Sequence, residues 1–143
     1  MPDIVVTDII GSSIVKAIEG GLNDFEDVTA GISDRRPLAV ILRDPETERI
    51  FGGAMGRSSF GLLFLDVFFL PKELRGMGLG TRILRKFEDA GRQRGCRSAF
   101  LYTISFQAPD FYARNGWKAF GRIPCEPPGT FRIFMTKNLE APL

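Results

Sequence analysis

The alternation of apolar and polar positions divides the chain into short strands and helices. Ile4–Val6 is predicted as a first strand, and residues 9–28 carry apolar side chains at helical spacing. The Gly20-Gly21 pair predicts a break or kink in that helix. Asp34–Pro37 is predicted as a turn that leads into the next strand.

Six further strands and two further helices are predicted after this turn. The run Phe60–Leu70 is almost continuously apolar, which indicates burial on both faces, and a strongly amphipathic helix ends near Gly95. The remaining elements are a hairpin turn at 44–47, strands Leu38–Arg43, Arg49–Arg57, Ser98–Thr103, Trp117–Gly121 and Phe131–Lys137, and a short helix Ala108–Asn115. This order predicts an α+β (mixed α/β) fold with helices flanking a central sheet.

Composition narrows the class of protein. A net charge of +2 over 143 residues does not by itself imply a polyanion partner, because a nucleic-acid binder usually carries a stronger basic bias. The longest apolar stretch, Leu62–Leu70, is too short to cross a membrane, and the N-terminal residues lack the basic start of a signal peptide. We therefore expect one cytoplasmic domain over residues 1–143, with no nucleic-acid or membrane partner.

The chain has no histidine and two cysteines, with no CxxC spacing. A structural metal site or a Cys–His catalytic pair is therefore not expected. A general base would have to be a carboxylate, a tyrosine, a thiol or a water relay. Cys125 lies in a proline-rich segment without a neighbouring base, which disfavours it as a nucleophile.

A glycine-rich loop joins the apolar strand to the amphipathic helix. Gly76, Gly78 and Gly80 allow a sharp turn and a close approach of backbone to ligand. The first amides of the following helix lack partners inside the helix, so they suit a pyrophosphate. The local excess of Arg and Lys between residues 75 and 97 is either a solvated helix face or a field that attracts such an anion. The loop matches neither a P-loop nor a Rossmann fingerprint.

The loop resembles the Q/R-x-x-G-x-G/A signature of the GNAT (GCN5-related N-acetyltransferase) superfamily, with Arg75, Gly78 and Gly80 at the fixed positions. The resemblance implies splayed strands at an acetyl-CoA site. It implies that the loop amides hold the cofactor pyrophosphate and that backbone groups of the preceding strand hold the pantetheine arm. The cofactor-binding residues implied are Phe68, Phe69, Leu70, Arg75, Gly76, Met77, Gly78, Leu79, Gly80, Thr81 and Ser105. For Phe68, Phe69 and Leu70, a plain core strand is the alternative.

A second segment, from Ser105 to Trp117, resembles the family's A-x-x-F/L-Y-x-x-x-G-F motif. The resemblance places Tyr112 beside the CoA sulfur as a general acid, and a buried structural tyrosine is the alternative. Ser105 replaces the asparagine that many members carry. Tyr102 and Thr130 replace the Asp and His of close relatives, so the acceptor is not carried over from them.

Asp66 is the one acid inside the apolar strand. We expect burial to raise the pKa of its carboxyl, unless a nearby arginine opposes that shift. It is either a general base, in register with bases of some GNAT members, or a scaffold residue. Glu73, Asp110, Glu126 or a water chain are the other candidates for the base.

The resemblance, which runs from about Leu38 to Leu139, implies direct acetyl transfer from acetyl-CoA to an amine in a ternary complex. The short chain favours a small-molecule amine, and the resemblance implies a possible homodimer, since members of the family are often dimers. The alternatives are a non-catalytic acyl-CoA-binding module and an acetyltransferase of protein lysines or N-termini. Five aromatic residues are candidates for the acceptor pocket or for the core: Phe60, Phe64, Phe106, Trp117 and Phe131.

Overall fold

The computed structural model of the protein describes residues 1–140. The backbone forms two compact units, one of residues Met1–Asp34 and the other beginning at Arg35. None of the described helices is long and apolar enough to cross a membrane.

The first unit contains one helix, α1 (Ser12–Ala30). Gly31 ends it in the left-handed conformation, at φ 76°, where its N–H donates to the carbonyl of Asp27. The predicted break at Gly20-Gly21 is wrong, because the helix runs through both glycines. The predicted strand Ile4–Val6 is wrong as well, since it pairs with no strand in the part of the chain that the structure describes.

The second unit is a six-stranded sheet with helices and confirms the predicted class. Its elements are β1 (Arg35–Arg43), β2 (Ile50–Ser59), β3 (Leu62–Phe69), a 3₁₀ turn (Lys72–Leu74), α2 (Leu79–Gln93), β4 (Ser98–Ile104), α3 (Pro109–Arg114), β5 (Lys118–Cys125) and β6 (Thr130–Asn138). The strand order is β1-β2-β3-β4-β6-β5. Among the strands of residues 1–140, only β3 and β4 run parallel, so the sheet is mixed and mostly antiparallel.

Two strand boundaries differ from the prediction. The predicted turn at 34–37 is mostly strand, because β1 already pairs at Arg35 and carries Pro37 opposite Arg57. An outermost strand tolerates a proline, which has no N–H to donate. At the other end, β5 extends to Cys125.

One face of the sheet and α2 enclose the core. Leu63 and Leu84 are fully buried, as are Phe87 of α2 and Leu101 of β4. These side chains belong to the core cluster that holds α2 against the sheet. The N-terminus of α2 is therefore held at the end of β3.

A buried carboxylate connects α2 to the C-terminal strands. The side chain of Glu88 is 2% exposed and accepts hydrogen bonds from Lys137 Nζ at 2.7 Å and from Trp117 Nε1 at 3.1 Å. Lys137 Nζ also donates to the carbonyl of Asn115 at 2.8 Å, at the end of α3. The cluster thereby ties α3, which carries Tyr112, to α2.

We expect Lys137→Met to destabilise the protein by about 3–5 kcal/mol, because the Glu88 carboxylate stays buried and loses its ion pair with Lys137. Chemical denaturation monitored by tryptophan fluorescence measures this. Arg97→Met is the matched control, since Arg97 pairs with Glu140 on the surface and should change stability little. Equal stabilities of the two variants would contradict a structural role for the Glu88 cluster.

Candidate active site

The strands β3 and β4 diverge and open a groove. Their parallel pairing runs from Leu62 opposite Ser98 to Leu65 opposite Leu101 and stops there, although both strands continue. The cavity that opens beyond has a volume of about 630 Å³. The β3 backbone in this stretch pairs with β2 alone, so its other edge can pair with an extended ligand.

A β-bulge lies where the groove begins. Val67 pairs with Met55 and Leu65 with Gly56, so Asp66 is the extra residue of β3. Asp66 lines the groove and is exposed, which makes the predicted burial of its carboxylate wrong. The bulge rotates this side chain out of the apolar alternation. Within residues 1–140, Asp66 makes no ion pair.

The glycine loop closes one end of the groove. Arg75 Nε donates to the carbonyl of Leu70 at 2.9 Å and thereby fixes the loop at the end of β3. Gly76 and Gly78 both have φ 79°, a conformation that strains any other residue. The first hydrogen bond of α2 joins the amide of Arg82 to the carbonyl of Gly78. The preceding amides of the helix are therefore available to an anion.

The structure places the predicted cofactor residues in two groups. Those that line the groove are Phe68, Phe69, Leu70, Arg75, Gly76 and Gly80. Met77, Gly78, Leu79 and Thr81 complete the loop and the first turn of α2 without lining the groove. Ser105 does not line it either, because its Oγ accepts from the amide of Phe131 at 3.0 Å and fastens β4 to β6.

Tyr112 of α3 lines the groove as well. Its side chain is 8% exposed and contacts the rings of Phe68, Phe111 and Trp117, with centroids 6.4, 5.2 and 6.1 Å away. Burial raises the pKa of the Tyr112 phenol to about 12. The phenol therefore stays protonated at neutral pH, as a proton donor must.

Sequence reasoning missed two polar residues of the groove, Thr103 and Gln107. Gln107 Oε1 accepts from the amide of Ile104 at 2.9 Å and from Thr103 Oγ1 at 3.1 Å. These bonds shape the turn between β4 and α3 at the wall of the groove. The position of Gln107 inside the second motif was the available signal.

Of the five aromatic candidates for an acceptor pocket, Phe106 lines the groove and the other four do not. Trp117 belongs to the core, at 2% exposure, and Phe64 stacks on Phe100 across β3 and β4. Cys125 is half-buried at the end of β5 and does not line the groove.

The groove combines features suited to one kind of ligand. A free strand edge suits the amides of an extended arm, and a helix N-terminus suits a pyrophosphate. A protonated phenol and a carboxylate lie along the same cavity, where they can serve as acid and base. Residues 1–140 contain no group of three or more side chains that could hold a metal ion. The arrangement suits a coenzyme A thioester and transfer of its acyl group.

Comparisons with known proteins agree with this geometry. The model of the acetyltransferase (GNAT) family matches residues 16–117. Blasticidin-S acetyltransferase of Streptomyces morookaense is 33% identical over 111 residues, covering 76% of this chain and 82% of that protein.

Solved structures share the fold. The crystal structure of a protein from Agrobacterium tumefaciens superposes on this chain with a TM-score of 0.88 at 27% identity, and the match covers 96% of this chain and 99% of that protein. A Bacillus anthracis protein crystallised with acetyl-coenzyme A superposes with a TM-score of 0.63 at 14% identity, covering 77% and 66% of the two chains. The chain belongs to the GNAT family of acetyltransferases and uses acetyl-CoA as its acyl donor.

Proposed function

We propose that the protein acetylates an amine of a small molecule in a ternary complex, with Asp66 and Tyr112 as its acid–base pair. The observation that carries this proposal is that both side chains line the one groove between the diverging strands. A site that holds donor and acceptor together gains most of its rate from proximity.

The proposed chemistry balances as follows. The amine nitrogen attacks the thioester carbonyl, the new C–N bond forms, and the C–S bond breaks. The proton lost by the amine passes to Asp66, directly or through water. The departing thiolate takes the proton of Tyr112. The phenol still carries this proton at neutral pH because its pKa is raised. Asp66 then releases its proton to water, and water returns a proton to Tyr112, so both groups are restored before the next turnover.

Three further features support the placement of acetyl-CoA and the class of acceptor. The amides at the start of α2 would bind the pyrophosphate, and the free edge of β3 would bind the pantetheine arm. A groove of about 630 Å³ has the size of small-ligand sites. The blasticidin-S relative is named for a small molecule, which makes aminated antibiotics the first acceptors to test.

Two broader properties are part of the proposal. A homodimer is supported by the large apolar side chains that one chain leaves exposed. A cytoplasmic location is supported by the donor, because acetyl-CoA is used there.

A competition experiment tests the acceptor class. Acetyl-CoA is supplied with an equimolar mixture of aminated antibiotics, polyamines and lysine-containing peptides, and the products are identified by mass spectrometry. We expect the acetyl group on small amines, with kcat/KM at least about 10²-fold above that for peptides. Preferential acetylation of peptides would overturn the assignment of a small-molecule acceptor.

Asp66→Asn should lower kcat/KM for the amine about 10²-fold, because it keeps the shape of the side chain and removes the proton acceptor. The acetyl-CoA affinity should stay unchanged. Glu73→Gln is the matched control, since Glu73 is an exposed acid next to the loop that does not line the groove. An unchanged kcat/KM in Asp66→Asn would assign the base to another group.

A further inference from the structure

We infer that Glu88, which is buried in α2 and does not line the groove, is a positioning residue for the acetyl transfer. It acts through Trp117 and Lys137, and it sets where α3 holds the hydroxyl of Tyr112. This assignment rests on the proposed role of Tyr112 as the general acid. It gives the buried carboxylate a part in turnover, in addition to its part in the stability of the fold.

The helix α3 is too short to hold Tyr112 in place without its neighbours. It has six residues, Pro109–Arg114, and no side chain caps its N-terminus with a hydrogen bond. An isolated helix of this length is unstable in water, because its first turn fixes several residues for very few hydrogen bonds. The contacts between α3 and other elements therefore determine where the phenol of Tyr112 lies.

The first turn of α2 supports one part of α3 by apolar packing. A Cβ atom on Gly80 would lie 3.3 Å from the ring of Phe111, so the glycine allows this ring to pack closely against the helix. The ring of Phe111 also contacts those of Tyr112 and Phe68, with centroids 5.2 and 5.7 Å away. Apolar contacts are non-directional, so they leave the orientation of α3 to be set by hydrogen bonds elsewhere.

The C-terminal end of α3 is fastened by hydrogen bonds that converge on Glu88. The carbonyl of Tyr112 accepts from the amide of Trp117 at 3.0 Å, and Trp117 Nε1 donates to Glu88 Oε2 at 3.1 Å. Lys137 Nζ donates to Glu88 Oε1 at 2.7 Å and to the carbonyl of Asn115 at 2.8 Å. Each oxygen of the carboxylate is therefore connected to the end of α3 by its own path.

Burial makes this connection stiff. The side chains of Glu88 and Trp117 are both 2% exposed, so water does not compete for their hydrogen bond, and a charged acceptor strengthens it. The ring of Trp117 also contacts that of Tyr112, with centroids 6.1 Å apart. A displacement of the indole is therefore transmitted directly to the phenol ring.

The helix α2 connects this cluster to the proposed cofactor site. The amides after Gly78 would bind the pyrophosphate, and Glu88 lies further along the same helix, about 14 Å from Leu79 at 1.5 Å per residue. One rigid helix thus relates the point that holds the cofactor to the point that holds the acid. Proton transfer to the sulfur requires hydrogen-bond distance, and a misplacement of about 1 Å can lower the rate about 10²-fold.

Steady-state kinetics of Glu88→Gln tests this role. The amide has the shape of the carboxylate and can still accept from Trp117, but it no longer pairs with the charge of Lys137. We expect kcat to fall at least about 10-fold, while the Kd for acetyl-CoA in a calorimetric titration stays within about twofold of the wild type. Asp89→Asn is the matched control, because Asp89 follows Glu88 in α2, is 64% exposed and should be dispensable for kcat.

A double-mutant cycle with Tyr112→Phe separates positioning of the acid from a general loss of structure. Because Glu88 is expected to act through Tyr112, adding Glu88→Gln to Tyr112→Phe should lower kcat no further. An equal loss from Glu88→Gln in both backgrounds would overturn the inference and leave the acid role of Tyr112 intact. Near-normal turnover of Tyr112→Phe alone would overturn that acid role, and the inference with it.

Trp117→Phe decides the question if Glu88→Gln does not fold. It keeps an aromatic ring beside Tyr112 and removes the indole donor to Glu88, so we expect a lower kcat, an unchanged Kd for acetyl-CoA and no further loss on Tyr112→Phe. The chain has one tryptophan, so a single indole N–H resonance reports the hydrogen bond by NMR, and it should shift in Glu88→Gln. An unchanged resonance in that variant, or wild-type kcat in either folded variant, would overturn the inference.

Discussion

Tyr112→Phe should lower kcat about 10²-fold while acetyl-CoA binds as tightly as before, because only the proton of the leaving group is lost. The ring remains, so its contacts with Phe68, Phe111 and Trp117 should hold the fold. Steady-state kinetics with a saturating amine, together with a calorimetric titration of acetyl-CoA, separate the two quantities.

The pH dependence sharpens the test of Tyr112. Burial raises the pKa of its phenol from the ordinary 10.0 to about 12, so the acid form persists beyond the pH at which an exposed tyrosine ionises. The raised pKa also makes the stability of the fold depend on pH. The stabilisation that the neutral phenol contributes is complete below pH 10.0 and is lost as the pH rises towards 12. Near-normal turnover of Tyr112→Phe, with chemistry rate-limiting, would make the tyrosine structural.

Gly78→Val should abolish acetyl-CoA binding. The glycine sits at φ 79°, directly before the first turn of α2, and a β-branched residue there both strains the backbone and obstructs the pyrophosphate. At a concentration of 100 times Kd, acetyl-CoA stabilises a binding-competent protein by about 2.7 kcal/mol. Thermal unfolding with and without acetyl-CoA measures the loss of that stabilisation.

The control for this substitution is Gly129→Val, in the turn between β5 and β6. Gly129 also has a positive φ, 86°, with open space around its Cα, so the backbone strain is comparable. It should lower the melting temperature and retain the full shift with acetyl-CoA. A retained shift in a folded Gly78→Val would show that the loop does not bind the cofactor.

Local pattern predicted most of the fold. Periodicity and turn residues located β2, β4, α2 and β6 to within one or two residues, because their alternation matches the faces that they bury. The prediction of a strand at Ile4–Val6 was wrong because a strand also requires a neighbouring strand to pair with, and the local pattern does not show whether one is present.

The site was harder to predict where it depends on long-range contacts. The Glu88 cluster joins α2 to Lys137, 49 residues away. The sequence of α2 alone predicts an ordinary amphipathic helix and does not indicate this buried ion pair. Asp66 was predicted to be buried because a regular strand was assumed. The bulge between Leu65 and Val67 is set by the register against β2, which the sequence of β3 alone does not contain.

The divergence of β3 and β4 also depends on pairing between strands that are distant in the sequence. The glycine loop and the motif around Tyr112 indicated a cofactor site, whereas the width of the groove follows from where the pairing stops, at Leu65 and Leu101. Thr103 and Gln107 form part of the groove's wall because of the conformation of the turn after β4, which the sequence pattern does not determine.

Release of free CoA from acetyl-CoA, measured with a thiol reagent in the presence and absence of an amine acceptor, tests the central claim most directly. We predict amine-dependent release matched mole for mole by acetylated amine, with little release from the wild type without amine or from Gly78→Val with it. Binding of acetyl-CoA without amine-dependent release, across antibiotics, polyamines and peptides, would contradict the account and indicate an acyl-CoA-binding module without turnover.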